Sequence, residues 1–181
     1  METKISDGFY TALGTPLDSH GNLLKHSFVK HVKDQIEHNA SGLLVMGSMG
    51  NEACIKQSEY PVVTKTAVEA ANSKCPIFVG AMDNSVARVC DRITSLVGLK
   101  IDGVVVTTPF YYLTTQEELK IYFTKIAACS PFPVYLYDLP TVTKVKINID
   151  TIEYLMDNKK IKGIKTGDIV TARMLMRSEK K

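Results

Sequence analysis

The sequence predicts an α/β fold built on parallel strands, and three observations predict it. Short apolar segments alternate with amphipathic helical segments along the chain, making six strand–helix units. Two of the strand segments, Leu43-Leu44-Val45 and Val104-Val105-Val106, are continuous apolar runs of the kind buried on both faces. One helical segment carries Val86, Val89, Cys90, Ile93, Leu96 and Val97 at the 3.6-residue period of a stripe packed on a sheet. Six such units fit an open doubly wound sheet. They also fit a (β/α)8 TIM barrel, which needs eight units and about 250 residues, so this chain would supply an incomplete or truncated barrel. The pattern alone leaves the two closures open.

The elements follow in order. Phe9 to Leu13 reads as the first strand, closed by Gly14-Thr15-Pro16, and Ser27 to His38 as a helix with Phe28, Val29, Val32 and Ile36 on one side. Ser41 to Met46 is the second strand, ending in Gly47-Ser48-Met49-Gly50. A helix from Ser58 to Asn72 follows, with Ser58 as N-cap and Pro61 in its first turn. Cys75 to Ala81 is the third strand, before the striped helix, and Gly103 to Thr107 is the fourth. The next helix runs from Gln116 to Cys129 with Leu119, Tyr122, Phe123 and Ile126 inward. Val134 to Tyr137 is the fifth strand, and Ile149 to Asp157 is its helix, with Asn148 as N-cap. Lys162 to Lys165 is the sixth strand, and Ile169 to Arg177 opens a sixth helix.

The bulk properties exclude several classes. The 181 residues would ordinarily form one domain, here 1–181, and the composition is that of a globular enzyme, 45% hydrophobic and 23% charged. A net charge of +3 with no Lys/Arg run gives no argument for nucleic acid. No apolar stretch reaches the ~20 residues of a membrane span, and Met1 to Asp7 lacks the design of a secretory leader. A cytoplasmic protein is therefore expected, with Lys180-Lys181 as a solvated end. The four cysteines, Cys54, Cys75, Cys90 and Cys129, show no metal-ligand spacing, and they are read as free, buried side chains in a reducing compartment. All four histidines fall within the first forty residues; His31 and His38 read as a solvated helix face and not a metal site, and none lies near a strand end, which leaves the proton work to tyrosine and lysine.

The chemistry is read at strand ends. In a barrel of parallel strands the C-terminal ends converge on the face where reactions occur. Lys165 ends the sixth strand. A lysine pointing into a barrel mouth is expected to be desolvated, its amine pKa lowered, and so able to attack a carbonyl and form a Schiff base. Tyr137 ends the strand before it and can carry protons. Gly47-Ser48-Met49-Gly50 frames a hydroxyl and backbone N–H groups suited to a carboxylate, or is simply a turn that uses glycine for positive φ. No Gly-x-Gly-x-x-Gly or Walker pattern follows any strand.

Together, Gly-x-x-Gly at 47–50, Thr-Pro-Phe-Tyr-Tyr at 108–112, Tyr-x-x-Pro at 137–140 and Gly-Ile-Lys at 163–165 resemble the Schiff-base lyase family of dihydrodipicolinate synthase and N-acetylneuraminate lyase. The resemblance runs from Ala12 to Leu175. It implies a (β/α)8 barrel and a class I aldolase or lyase acting on pyruvate and an aldehyde, with Lys165 forming the imine and Tyr137 shuttling protons. It also implies that Ser48 and the Gly47–Gly50 backbone, Met49 included, hold the pyruvate carboxylate. Tyr111 matches a tyrosine that reaches across a subunit interface, so a homotetramer is expected. No cofactor beyond the lysine imine is implied.

The departures are specific. Ser48 and Met49 stand where two threonines are common, and Asn51 stands where a glutamate is common, with Glu52 one place later. Val142 occupies the place of an arginine that binds the second substrate in dihydrodipicolinate synthases. Lys144-Val145-Lys146-Ile147 looks like the neuraminate-lyase branch, so the reading leans there, with 4-hydroxy-tetrahydrodipicolinate synthase of lysine biosynthesis as the alternative. With six units of eight, a non-catalytic keto-acid-binding remnant is the rival of another class, and the span alone is expected to associate through open sheet edges.

Overall fold

The computed structural model describes residues 5–178; the first four residues of the segment read for a leader, and the Lys180-Lys181 end, lie outside them. The elements are β1 (Tyr10–Ala12), α1 (Lys25–Glu37), β2 (Gly42–Val45), α2 (Tyr60–Ala71), β3 (Ile77–Gly80), α3 (Val86–Thr94), β4 (Gly103–Thr107), α4 (Gln116–Cys129), β5 (Val134–Asp138), α5 (Pro140–Thr143), α6 (Ile149–Met156), β6 (Ile161–Thr166) and α7 (Ile169–Arg177). The strands pair in the order in which they occur in the chain, β1-β2-β3-β4-β5-β6. An open doubly wound sheet reverses its order at a switch point. The unbroken order therefore decides for barrel winding, of which the chain supplies six βα units. Among the described residues no helix is long and apolar enough to cross a membrane.

The residues group into two compact units, the first comprising the chain up to Ala81 with Arg92–Val104, the second Met82–Asp91 with the chain from Val105 on. In the first unit β2 pairs in parallel with both β1 and β3, and every residue of β2 and β3 is buried. Phe28 and Val32 of α1 and Tyr60, Val63 and Ala67 of α2 are fully buried, each larger side chain contributing about 1.5–3 kcal/mol by leaving water. Helix α2 begins later than its sequence indicates. The chain after β2 forms three successive 3-10 turns, and Ser58 lies inside the third (Gln57–Glu59) instead of capping the helix. Pro61 keeps its expected place in the first turn of α2.

In the second unit β5 and β6 pair in parallel with Tyr137 opposite Lys165 and Asp138 opposite Thr166. Helix α4 opens on a capping box in which Thr115 and Glu118 satisfy each other's backbone N–H groups. Its inward residues, Leu119, Phe123 and Ile126, are fully buried, as their spacing predicts. The short helix α5 was not expected. It starts at Pro140, whose fixed φ suits a first helical position.

The cysteines correct the sequence reading. Cys90 of α3 and Cys129 at the end of α4 form a disulfide, Cys54 is exposed, and only Cys75 is a buried free thiol. The bridged pair is 39 residues apart in sequence, which conceals it, yet the fold sets their Cα atoms 6.2 Å apart, within bridging range. Val97, assigned to the α3 stripe, lies past the helix end and is exposed.

Candidate active site

In the second unit the penultimate residues of β5 and β6 face each other across one rung. The Lys165 amine lies 3.8 Å from the centroid of the Tyr137 ring, a cation–π contact, and Tyr137 is buried. Side chains alternate along a strand, so Tyr137 and Lys165 share one face and the next rung, Asp138 and Thr166, faces the other way. The expected desolvation of Lys165 is not found: the residue is exposed. Strand β6 is half-exposed along most of its length, whereas β4 is buried throughout.

The rung behind that pair carries a charged network that sequence reasoning missed. The Asp138 carboxylate is fully buried; it accepts hydrogen bonds from the Lys146 ammonium, from the Thr166 hydroxyl at 3.0 Å and from the Ile147 N–H at 3.1 Å. Lys146 also pairs with Asp168 at 3.0 Å and donates to the Thr171 hydroxyl at 2.9 Å. Asp168 caps α7, accepting from the Val170 N–H at 2.9 Å, and takes a further hydrogen bond from Thr171 at 2.8 Å. Hydrogen bonds from Thr171 and Lys146 hold the Asp168 carboxyl down at about 2. Partial burial works against the Lys146 charge, but its bonds to Asp138 and Asp168 outweigh this and raise its pKa. The only sequence signal was a lysine two residues before the Asn148 cap of α6, which reads as solvent-facing.

Tyr111 follows β4 in a loop fixed from below. The N–H groups of Phe110 and Tyr111 both donate to the Asn84 side-chain carbonyl, at 2.8 and 2.9 Å. Asp83 accepts from the Asn84 N–H and pairs with Arg88, both at 2.7 Å. The Tyr111 ring is 76% exposed and stacks edge-on against Tyr112 at 4.9 Å. The structure thus brings Lys165 and Tyr137 together and presents Tyr111 outward.

The Gly47–Gly50 segment, in the first unit, is a 3-10 turn. Gly47 has φ −82°, so it is not there for left-handed backbone; the positive φ values fall on Met46 (51°) and Asn51 (54°). The need for glycine is closeness. A Cβ on Gly50 would stand 2.9 Å from the Leu13 carbonyl, and one on Gly80 would stand 1.9 Å from the Met46 carbonyl. Ser48 and Met49 are exposed, and their N–H groups precede the first hydrogen bond inside the turn, Gly50 N–H to Gly47 carbonyl at 2.9 Å. Left-handed Asn51 turns Glu52 into the core. There Glu52 is 1% exposed, accepts from the Tyr60 hydroxyl at 3.1 Å and pairs with buried Arg92 at 3.7 Å, while Arg92 also donates to Tyr60. Burial, and then the Glu52 carboxylate, push the Tyr60 phenol far above its ordinary value. The one-place shift noted in the sequence is thus absorbed by an asparagine, a residue that tolerates the left-handed region.

The model of the dihydrodipicolinate synthetase family matches residues 5–180. The chain belongs to the dihydrodipicolinate synthetase family. Among its relatives, the 4-hydroxy-tetrahydrodipicolinate synthase of an Exiguobacterium species is 32% identical over 171 residues, covering 93% of this chain and 58% of that protein. The solved 4-hydroxy-tetrahydrodipicolinate synthase of Methylacidiphilum fumariolicum superposes with a TM-score of 0.88 at 28% identity, over 93% of this chain and 57% of that one. The dihydrodipicolinate synthase of Acinetobacter baumannii, solved with pyruvate, gives 0.88 at 29%, over 93% and 59%. The chain therefore spans somewhat over half the length of these family members.

Proposed function

We propose that this chain carries the pyruvate half-site of a Schiff-base lyase, with Lys165 as the amine and Tyr137 as the proton shuttle. The observation that carries the reading is the Tyr137–Lys165 rung, which sets an amine 3.8 Å from a buried phenol ring in a family member whose relative was solved with pyruvate. The neutral amine attacks the keto carbon, the Tyr137 hydroxyl relays the protons, and water leaves to give the imine. The imine withdraws electrons, the methyl carbon loses a proton to become an enamine, and that carbon bonds to the aldehyde. Water then returns to release the product and the lysine. The imine is itself the electron sink, so the proposal calls for no further cofactor. Ser48 and the N–H groups at the start of the Gly47–Gly50 turn, beside Met49, are assigned the substrate carboxylate.

The names of the matching relatives support 4-hydroxy-tetrahydrodipicolinate synthesis better than the neuraminate-lyase-like chemistry to which the sequence leaned. Against it stands Val142, 59% exposed on α5, in place of a carboxylate-binding arginine. Coupled assays offering aspartate semialdehyde and a hydroxylated aldehyde in parallel separate the two. Outward-facing Tyr111 is assigned a place in a homo-oligomer, which sedimentation tests. Borohydride reduction with pyruvate, followed by peptide mapping, tests the core of the proposal. An adduct on Lys165 is expected; an adduct on Lys162, or none, refutes it in favour of a non-catalytic protein.

A further inference from the structure

We propose that Lys146, with Asp138 and Asp168, is a positioning clamp that fixes the register of Lys165 against Tyr137; the proposal rests on the lyase reading above. Each candidate catalytic residue is followed at once by a member of the clamp's rung, Asp138 after Tyr137 and Thr166 after Lys165, and those two are bonded at 3.0 Å. Lys146 joins that rung to the start of the next helix, because it holds the β5 carboxylate of Asp138 and the α7 cap Asp168 together, with Thr171 of α7 as a third partner.

The β5–β6 pairing has a register irregularity between Val134 and Tyr135, and Lys165 itself is exposed, with the Tyr137 ring against its amine. The clamp grips the opposite face at the end of the pairing, one residue from the reacting atoms. Every oxygen of Asp138 and Asp168 has a protein partner, and Asp138 is fully buried. A buried carboxylate held by a single lysine is a geometric constraint more than a source of stability, since desolvation offsets most of the attraction.

The test compares Lys146→Met, Lys146→Arg and Lys146→Met/Asp138→Asn with the parent chain. The double variant is included because Lys146→Met alone leaves a buried charge unpaired. Two readouts are taken on each: the rate of borohydride trapping of pyruvate on Lys165, and amide hydrogen exchange along β5 and β6. Displacement of reacting groups by about 1 Å costs on the order of 10²-fold in rate. Trapping in the double variant is therefore expected to slow by about that factor, with faster exchange confined to 137–139 and 165–168, and Lys146→Arg is expected to recover most of the rate. Tyr137→Phe should also cost less in the double variant than in the parent, because residues acting as one unit are non-additive. Parent-like trapping in a folded double variant overturns the clamp, as does full additivity with Tyr137→Phe. If the parent itself forms no adduct, the lyase reading fails, and the exchange data alone decide: local acceleration upholds the clamp and an unchanged pattern overturns it.

Discussion

Breaking the Cys90–Cys129 bridge, by reduction or by Cys129→Ser, should destabilise the second unit strongly. The bridge closes a loop of 39 residues. The chain entropy that such a loop removes from the unfolded state corresponds to about 4 kcal/mol, or roughly 10³-fold in the folding equilibrium. With a urea dependence of about 2–3 kcal/mol per molar for a chain of this size, the unfolding midpoint should fall by roughly 1.5–2 M. The closed loop contains β4 and the Tyr111 segment, so the loss bears on the site as well as on the helices. The assay is urea unfolding followed by circular dichroism, with and without excess thiol, beside a thiol titration of the denatured, unreduced protein. Of the four cysteines, Cys54 and Cys75 should react. Four reactive thiols, or a midpoint indifferent to reductant, would refute the reasoning.

Tyr137→Phe should lower turnover by about 10²–10⁴-fold while leaving pyruvate binding nearly intact, since the hydroxyl moves protons and the ring packs; steady-state kinetics on both parameters checks this. Ser48→Ala should weaken pyruvate binding by roughly 1.5–3 kcal/mol at most, the price of one hydrogen bond to a charged group, read as a rise in the apparent pyruvate constant. Gly50→Ala should weaken it as well, through displacement of the turn, because the new methyl meets the Leu13 carbonyl at 2.9 Å and a backbone oxygen cannot swing aside. Asp168 is held at about 2, below its ordinary value, so its contribution to stability is present above about pH 4 and is lost as the pH falls toward 2. An acid titration of stability should therefore be shallower in Asp168→Asn, and identical curves would count against the network.

The parts of the fold that were legible in the sequence are those whose signals are local. Gly103–Thr107 was read to the residue because a valine run is bounded by glycine on one side and Thr-Pro on the other. Gln116–Cys129 was read with the same bounds because it carries a clear inward stripe, Leu119, Tyr122, Phe123 and Ile126. The illegible parts depend on adjacency in space. The disulfide needs α3 beside α4, and the 3-10 turns after β2 are fixed by Glu52 reaching Tyr60 and Arg92, thus by partners 8 and 40 positions away. In the candidate site, the pairing of Tyr137 with Lys165 was legible because both stand at the ends of successive strands. Lys146 was not, since a lysine before a helix cap looks solvent-facing until the fold supplies two carboxylates for it.

Lys165 is exposed on β6. Desolvation was the expected means of keeping its amine neutral, and in these residues it is absent. What its face does hold is Tyr137, with the amine 3.8 Å from the ring centroid. The chain's own residues thus supply orientation, through the rung and its clamp, more than they supply activation. If the rung orients the amine, Tyr137→Leu, which removes the ring, should slow pyruvate trapping on Lys165 more than Tyr137→Phe, which keeps it. Equal rates in the two variants would show instead that the ring does not hold the amine.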